Sequence, residues 1–419
     1  MEITVSRGTP ADTVIRVPSS KSLSHRALIA AALASGTSRI TQLADNEDIA
    51  ATRRCIEAFG ARTEKDGEEL IVAGTGGRIT YNGQLIDCAE SGSTLRFLIP
   101  IAGVTEQEVR FTGHGRLLQR PQTVYEEIFR KQGCRFEMKD GQLTVCGPLR
   151  CGTYEIAGNI SSQFITGLLY ALPMLEGDSV IQVREPYESR SYVNLTLAAL
   201  QRAGIRIDAE GSVYRIKGSQ KYQPFTARME ADASAAAFFI ALAMLRKVPL
   251  TIADLDPSSA QGDLVMVKIA EQFGAEAVWT ETGCRIIPHM MKAVEADLSD
   301  CPDLGPVLFA AAAMAEGTSV FHGVGRLRLK ESDRIQAMEE ELAKLGCQMT
   351  SDQDTVYVTG KAQLAGAVVD GHNDHRIVMA LSVLAASSDV NITIRGAQAV
   401  AKSYPDFFSD LQKTGAIAI

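Results

Sequence analysis

Six short polar clusters, each followed by an Ala- and Leu-rich stretch, recur through the chain at intervals of about 71 residues. They read Ser19-Ser20-Lys21-Ser22, Glu90-Ser91-Gly92-Ser93, Ile160-Ser161-Ser162-Gln163, Asp232-Ala233-Ser234, Pro302-Asp303 and Asp374-His375-Arg376. A second series keeps the same register: Gly60, Gly133, Gly204, Gly274, Gly346 and Gly415 each close an amphipathic segment. A glycine there suits the C′ position of a helix, where φ is positive. Two markers in one register leave little room for anything but a repeat architecture.

Within each unit the pattern predicts helix, strand, helix, strand, strand. Ser38–Leu43, Gln107–Thr112, Ser179–Val183 and Ser319–His322 are β-branched runs after the first helix. Ile335, Met338, Leu342 and Leu345 show the helical spacing of the second. Arg135–Met138 and Gln142–Cys146 flank Asp140-Gly141, a tight hairpin turn. The period exceeds that of common solenoids. The expectation is therefore two groups of three units, an α/β architecture with helices inside and sheets outside each group.

Composition removes several function classes. With 42 Lys+Arg against 50 Asp+Glu, the net charge of −8 argues against broad binding of nucleic acid or anionic membrane. The longest apolar stretch, Ala235 to Leu245, is about half the length needed to span a bilayer. Met1-Glu2-Ile3-Thr4 lacks the basic and apolar regions of a secretion signal. Eight cysteines are scattered without a C-x-x-C pair and read as reduced side chains. The cytoplasm is the expected compartment. His372-x-x-His375 is not a metalloprotease spacing, and Gly113-His-Gly115 and Gly323-Val-Gly325 lack the third glycine of a dinucleotide loop. No metal is expected.

The polar clusters sit where helices begin, so Ser or Asp there would cap free N–H groups. Capping alone does not account for the cations beside them: Lys21 and Arg26, Arg96, and Arg376. Second-helix starts add Arg120-Pro121, Lys330-Glu331-Ser332-Asp333-Arg334 and Lys402. Helix N-termini already favour negative charge, and added Lys and Arg make them anion sites. Several in one repeated geometry imply a ligand with more than one anionic group.

In order and spacing, Pro18-Ser-Ser-Lys-Ser-Leu-Ser-His-Arg26, Glu90-Ser-Gly-Ser-Thr-Leu-Arg96, Arg120-Pro121, Ser161-Ser-Gln163, Leu329-Lys-Glu-Ser-Asp-Arg334, Asp374-His-Arg376 and Lys402-Ser-Tyr-Pro-Asp406 resemble the 5-enolpyruvylshikimate-3-phosphate synthase family. The resemblance runs from about Arg16 to Pro405. It implies a two-domain inverted α/β barrel-like fold with six βαβαββ repeats in two groups of three. One domain would span 16–228; the other would join 1–15 to 229–419, with the N-terminal strand pairing into it. It implies transfer of the enolpyruvyl group of phosphoenolpyruvate to the 5-hydroxyl of shikimate 3-phosphate, through a tetrahedral intermediate with release of phosphate. This is a step toward chorismate and the aromatic amino acids. No cofactor is implied, and a monomer that closes around its two substrates is expected.

Carried over by position, Lys21, Gly92, Arg120, Gln163, Arg334, Arg376 and Lys402 would bind phosphoenolpyruvate. Lys21, Ser22, Arg26, Ser161, Ser162, Gln163, Ser189, Tyr192, Asp303 and Lys330 would bind shikimate 3-phosphate. Asp303 is the candidate base for the hydroxyl proton. Glu331 is the candidate for proton exchange at the methylene carbon, with Lys21 or Lys402 as participants. Arg96, His375 and Glu90 stand beside this set. Glu90 and Arg326 occupy positions where the family often has Asn, and His25 replaces the Asn commonly preceding the first arginine. Glu90 there calls for a nearby cation. Arg326 either contacts the shikimate phosphate or points away. One alternative is a UDP-N-acetylglucosamine enolpyruvyl transferase, but the loop Gly113–Arg120 has no cysteine and Ser22 stands where that enzyme has Asn. The other is a non-catalytic repeat scaffold, which would need neither Asp303, Glu331 nor Lys402.

Overall fold

The computed structural model describes residues 1–360 and 363–419. They form two compact units: Met1–Ser20 with Glu230–Ile419, called unit 1, and Lys21–Met229, called unit 2. The sequence reading puts the boundaries at 15/16 and 228/229.

Each unit contains three four-stranded sheets, and every sheet repeats one pairing pattern. In the sheet nearest the end of unit 2, Thr153–Ala157 pairs parallel with Ser179–Arg184. Val213–Ile216 then pairs antiparallel with both Ser179–Arg184 and Ile207–Glu210. The parallel pair needs a helical crossover, whereas the antiparallel pair is closed by a short turn. A repeat therefore reads strand–helix–strand–helix–strand–strand, starting one strand earlier than the polar clusters suggest. Segments far along the chain complete the first strands of some sheets. Thr226–Arg228 supplies the first strand for the opening sheet of unit 2. In unit 1, Thr13–Ile15 joins Leu250–Ala253, and Glu2–Ser6 lies between Ile392–Arg395 and Ile417–Ala418.

The described residues hold twelve α-helices, two per repeat. The first of each pair are α1 (Lys21–Leu33), α3 (Gly92–Ala102), α5 (Ser162–Ala171), α7 (Ala233–Arg246), α9 (Gly305–Ala312) and α11 (His375–Ala385). These are buried almost all round, as apolar helices without a polar face must be. The second are α2 (Glu47–Ala58), α4 (Thr123–Lys131), α6 (Arg190–Arg202), α8 (Met266–Phe273), α10 (Arg334–Lys344) and α12 (Phe407–Lys413). They are amphipathic; on α10, Ile335, Met338 and Leu342 face the core while Gln336 is exposed. All six repeat glycines have positive φ, from +70° to +113°. An L side chain rarely adopts that conformation, which fixes the marker chemically. Asp140 and Gly141, at φ +51° and +71°, make the expected hairpin turn.

The same packing recurs at the site end of the repeats. The segment entering the second helix returns to the N-terminus of the first, 27 to 29 residues earlier. Thus Lys21 meets Asp48, Gly92 meets Arg120, and the Ala233 N–H meets Gln261. Asp303 meets Lys330, and the Asn373 carbonyl meets Lys402. Ser91, Ser161, Asp232 and Asp374 cap their helices as expected. Asp303 does not. It lies in a short 3₁₀ turn, Pro302–Leu304, ahead of α9, and its carboxylate is drawn to three cations instead.

Candidate active site

In unit 1 the predicted residues converge on Arg334, whose side chain is 1% exposed. Its Nε donates to Asp374 Oδ2 at 2.8 Å, one terminal nitrogen to Asp303 Oδ1 at 3.0 Å, and the other to Glu331 Oε2 at 2.7 Å. Asp303 also receives Lys330 Nζ at 3.3 Å and an Arg376 nitrogen at 2.7 Å. Three carboxylates and three cations thus balance in a partly desolvated cluster. Burial alone would lower the Arg334 pKa, but Asp374, Glu331 and Asp303 outweigh it and hold it above the ordinary arginine value. Burial likewise works to raise the Asp374 carboxyl; the Arg334 guanidinium overrides it and leaves the pKa low. Removal from solvent pulls Lys330 down, against the charge of Asp303. Lys402 Nζ donates to the Asn373 carbonyl at 2.6 Å, on the loop that ends in Asp374.

Unit 2 holds its cations differently. Arg26 is 3% exposed and donates from Nε to Thr196 Oγ1 at 2.9 Å. Its terminal nitrogens reach the Ser22 and Tyr192 carbonyls at 2.8 Å each. With neutral acceptors only, burial brings its pKa down to about 10, still charged at pH 7. Arg96 donates to Gln163 Oε1 at 2.9 Å and to the Pro121 carbonyl at 2.9 Å, and lies 4.7 Å from the Phe164 ring centre. It therefore holds Gln163 and the chain next to Arg120; Gln163 in turn donates to Ser93 at 3.0 Å. The Arg120 guanidinium lies so close over Gly92 that a Cβ there would fall 2.5 Å from it. Lys21 pairs with Asp48 at 2.9 Å. Ser161 accepts from the Gln163 N–H, Ser162 is buried, and Ser189 sits buried at φ +54° just before α6. Beneath these residues runs a neutral chain: His25 to Thr52 at 2.7 Å, Thr52 to Thr94 at 2.6 Å, Thr94 to Ser91 at 2.7 Å. Burial, then the charges of Lys21 and Arg26, push the His25 pKa well down, so the ring is neutral at pH 7.

The residues singled out as departures are also placed. A Cβ on Gly115 would fall 2.7 Å from the Glu90 carboxylate. Arg326 is buried and donates to the Ser299 carbonyl at 3.2 Å, close enough to Lys330 to help lower its pKa. His375 is 2% exposed, with Nδ1 3.9 Å from Asp374. His372 meets Glu341 on α10.

Three carboxylates escaped the sequence reading as partners. Asp48 holds Lys21, and Asp374 holds Arg334 as well as capping α11. Asp263, 3% exposed, accepts from Ser234 and lies near Asp303 and Arg376. Burial, then the Asp303 charge, push its pKa up to about 6. The 27- to 29-residue contact repeat is the signal that could have located Asp48.

The model of the EPSP synthase (3-phosphoshikimate 1-carboxyvinyltransferase) family matches residues 5–411. This chain belongs to the EPSP synthase family. It is 40% identical over 406 residues to a 3-phosphoshikimate 1-carboxyvinyltransferase of Clostridium kluyveri, covering 96% of this chain and 94% of that one. It is 41% identical over 414 residues to one of Clostridium novyi, covering 96% and 95%. Among solved structures, an EPSP synthase from Acinetobacter baumannii superposes with a TM-score of 0.80 at 26% identity, covering 100% and 99% of the two chains. The enolpyruvyl transferase NikO from Streptomyces tendae shares the fold, with a TM-score of 0.78 at 18% identity, covering 100% and 98%. The inverted α/β fold implied by the resemblance is thus the fold of EPSP synthases. Among the described residues, no helix is long and apolar enough to cross a membrane.

Proposed function

We propose that this chain transfers the enolpyruvyl group of phosphoenolpyruvate to the 5-hydroxyl of shikimate 3-phosphate. The observation that carries this reading is the cluster on Arg334, where two carboxylates of opposite assignment, Asp303 and Glu331, share one buried guanidinium. Asp303 takes the proton of the attacking hydroxyl as its oxygen bonds to the enol carbon. Glu331, with Lys21 or Lys402 participating, delivers a proton to the methylene carbon, which becomes a methyl group in a tetrahedral intermediate. Return of one methyl proton to the same group then re-forms the double bond as phosphate leaves. Positioned proton transfer contributes on the order of 10²–10⁴ in rate, and fixing the reactants contributes more.

Lys21, Arg120, Arg334, Arg376 and Lys402 hold the phosphate and carboxylate of phosphoenolpyruvate, with Gly92 and Gln163 shaping that site. Arginine suits the task because its planar fork binds such groups in bidentate fashion. Ser22 and Arg26 take the shikimate carboxylate. Ser161, Ser162, Ser189 and Lys330 take its phosphate and nearby groups, and Tyr192 lines the ring. The neutral partners of Arg26 support this role, since they leave its charge unbalanced. Arg96 acts through Gln163 and the Pro121 carbonyl. Cytoplasmic residence and a monomeric state belong to the same reading.

The test is release of inorganic phosphate from phosphoenolpyruvate by the purified chain. Release with shikimate 3-phosphate and none with UDP-N-acetylglucosamine is expected. The opposite pattern would assign the rival acceptor, and release with neither would leave a binding protein.

A further inference from the structure

The acidic run Glu339-Glu340-Glu341 on α10 has one member inside: Glu341 is 1% exposed. Its Oε1 accepts from His372 Nε2 at 2.9 Å and from Lys344 Nζ at 2.8 Å. Its Oε2 accepts from Lys344 Nζ at 2.7 Å and from the Asp370 N–H at 2.9 Å. Donor atoms of Glu340, Glu341 and His372 lie within 4.8 Å of one another, yet the Lys344 ammonium already occupies both Glu341 oxygens, so the group supports no metal assignment.

What Glu341 grips is the start of the 370–374 loop. That loop runs through two consecutive left-handed residues, His372 at φ +49° and Asn373 at φ +52°. Non-glycine residues hold this conformation only when their surroundings over-determine it. Here the His372 N–H bonds to Asp370 Oδ1 at 2.6 Å and the Asp374 N–H to the Gly371 carbonyl at 2.8 Å. The far end of the loop meets the proposed phosphoenolpyruvate cations. The Asn373 carbonyl accepts from Lys402, Asp374 accepts from Arg334, and Arg376 follows two residues later.

We propose that Glu341 and His372 form a positioning pair that sets the 370–374 loop and, through it, fixes Arg334, Arg376 and Lys402 for the anionic groups of phosphoenolpyruvate. The inference rests on the enolpyruvyl-transfer reading. Neither residue is among the proposed substrate ligands. Their loss acts on how well the donor's phosphate and carboxylate are held, not on the acceptor.

The variants are His372→Asn and Glu341→Gln. Asparagine tolerates the left-handed backbone but is too short to reach Glu341. Glutamine keeps an acceptor for Asp370 while removing the charge that binds His372 and Lys344. Steady-state kinetics should show the KM for phosphoenolpyruvate rising about tenfold, the size expected for losing a hydrogen bond to a charged group. The KM for shikimate 3-phosphate should stay within about twofold, because its proposed ligands are mostly elsewhere. If Glu341→Gln fails to fold, the part-exposed position His372 decides. Folded variants with an unchanged phosphoenolpyruvate KM, or with both KM values raised alike, would overturn the positioning pair. An inactive parent chain would instead overturn the enzyme reading on which it rests.

Discussion

Arg26 and Arg334 are both buried arginines, yet one is held by three neutral oxygens and the other by three carboxylates. Burial therefore prevails at Arg26 and lowers its pKa, while at Arg334 the acids prevail and raise it. The contrast extends through the two units. Around Arg26, unit 2 uses hydroxyls and carbonyls, with the His25–Thr52–Thr94–Ser91 chain alongside, although its Lys21 pairs with Asp48. Unit 1 supports its site with charge balanced against charge. A guanidinium with neutral partners suits the proposed hold on the shikimate carboxylate, whereas the proposed proton transfer calls on the carboxylates around Arg334.

The strongest way to break this comparison is to remove each arginine. Arg334→Met leaves three carboxylates without their shared cation and should cost about 3–5 kcal/mol of stability. Arg26→Met leaves only neutral acceptors unsatisfied and should cost about 1–3 kcal/mol. Urea unfolding of both variants checks the order; equal losses would erase the distinction.

A smaller effect tests the surplus acid in unit 1. Asp263 has a folded pKa of about 6, above its unfolded value. Its contribution to stability is thus fully present at acid pH and lost as pH rises through 6. Asp263→Asn should raise stability at pH 7.5 by on the order of 2 kcal/mol and give no gain at pH 4. Thermal unfolding at the two pH values decides, and a gain of equal size at both would remove the titration argument.

The smallest change lies in unit 2. A Cβ at Gly92 meets the Arg120 guanidinium at 2.5 Å, so Gly92→Ala should displace Arg120 while sparing the fold. The KM for phosphoenolpyruvate should rise several-fold, roughly 1 kcal/mol of binding, with little change in unfolding. An unaltered KM would mean that Arg120 does not need this approach.

The repeats, the helix-ending glycines and the cation-bearing clusters were legible because each is a local pattern. Partnerships were not. Asp48, Asp263 and Asp374 are paired to residues 27 to 40 positions away, and an isolated acid in a sequence resembles any solvated surface charge. Asp303 looked like a helix cap because it follows a proline at a cluster position; only the surrounding cations show why its side chain leaves that role. Glu341 was hidden in a run of three glutamates. Its helical phase, seven residues after Arg334 and beside Leu342, was the available clue.

The division of labour itself is tested most directly by comparing kcat and KM in Asp303→Asn and Thr196→Val. Asp303→Asn should lower kcat by about 10²–10⁴ with a much smaller change in the KM for shikimate 3-phosphate. Thr196→Val, which takes the Nε acceptor from Arg26, should raise that KM about tenfold and leave kcat within about threefold. Near-native kcat in Asp303→Asn, or a collapse of kcat in Thr196→Val, would contradict the assignment of proton transfer to the charge-balanced cluster on Arg334 and of the shikimate carboxylate to the neutrally held Arg26.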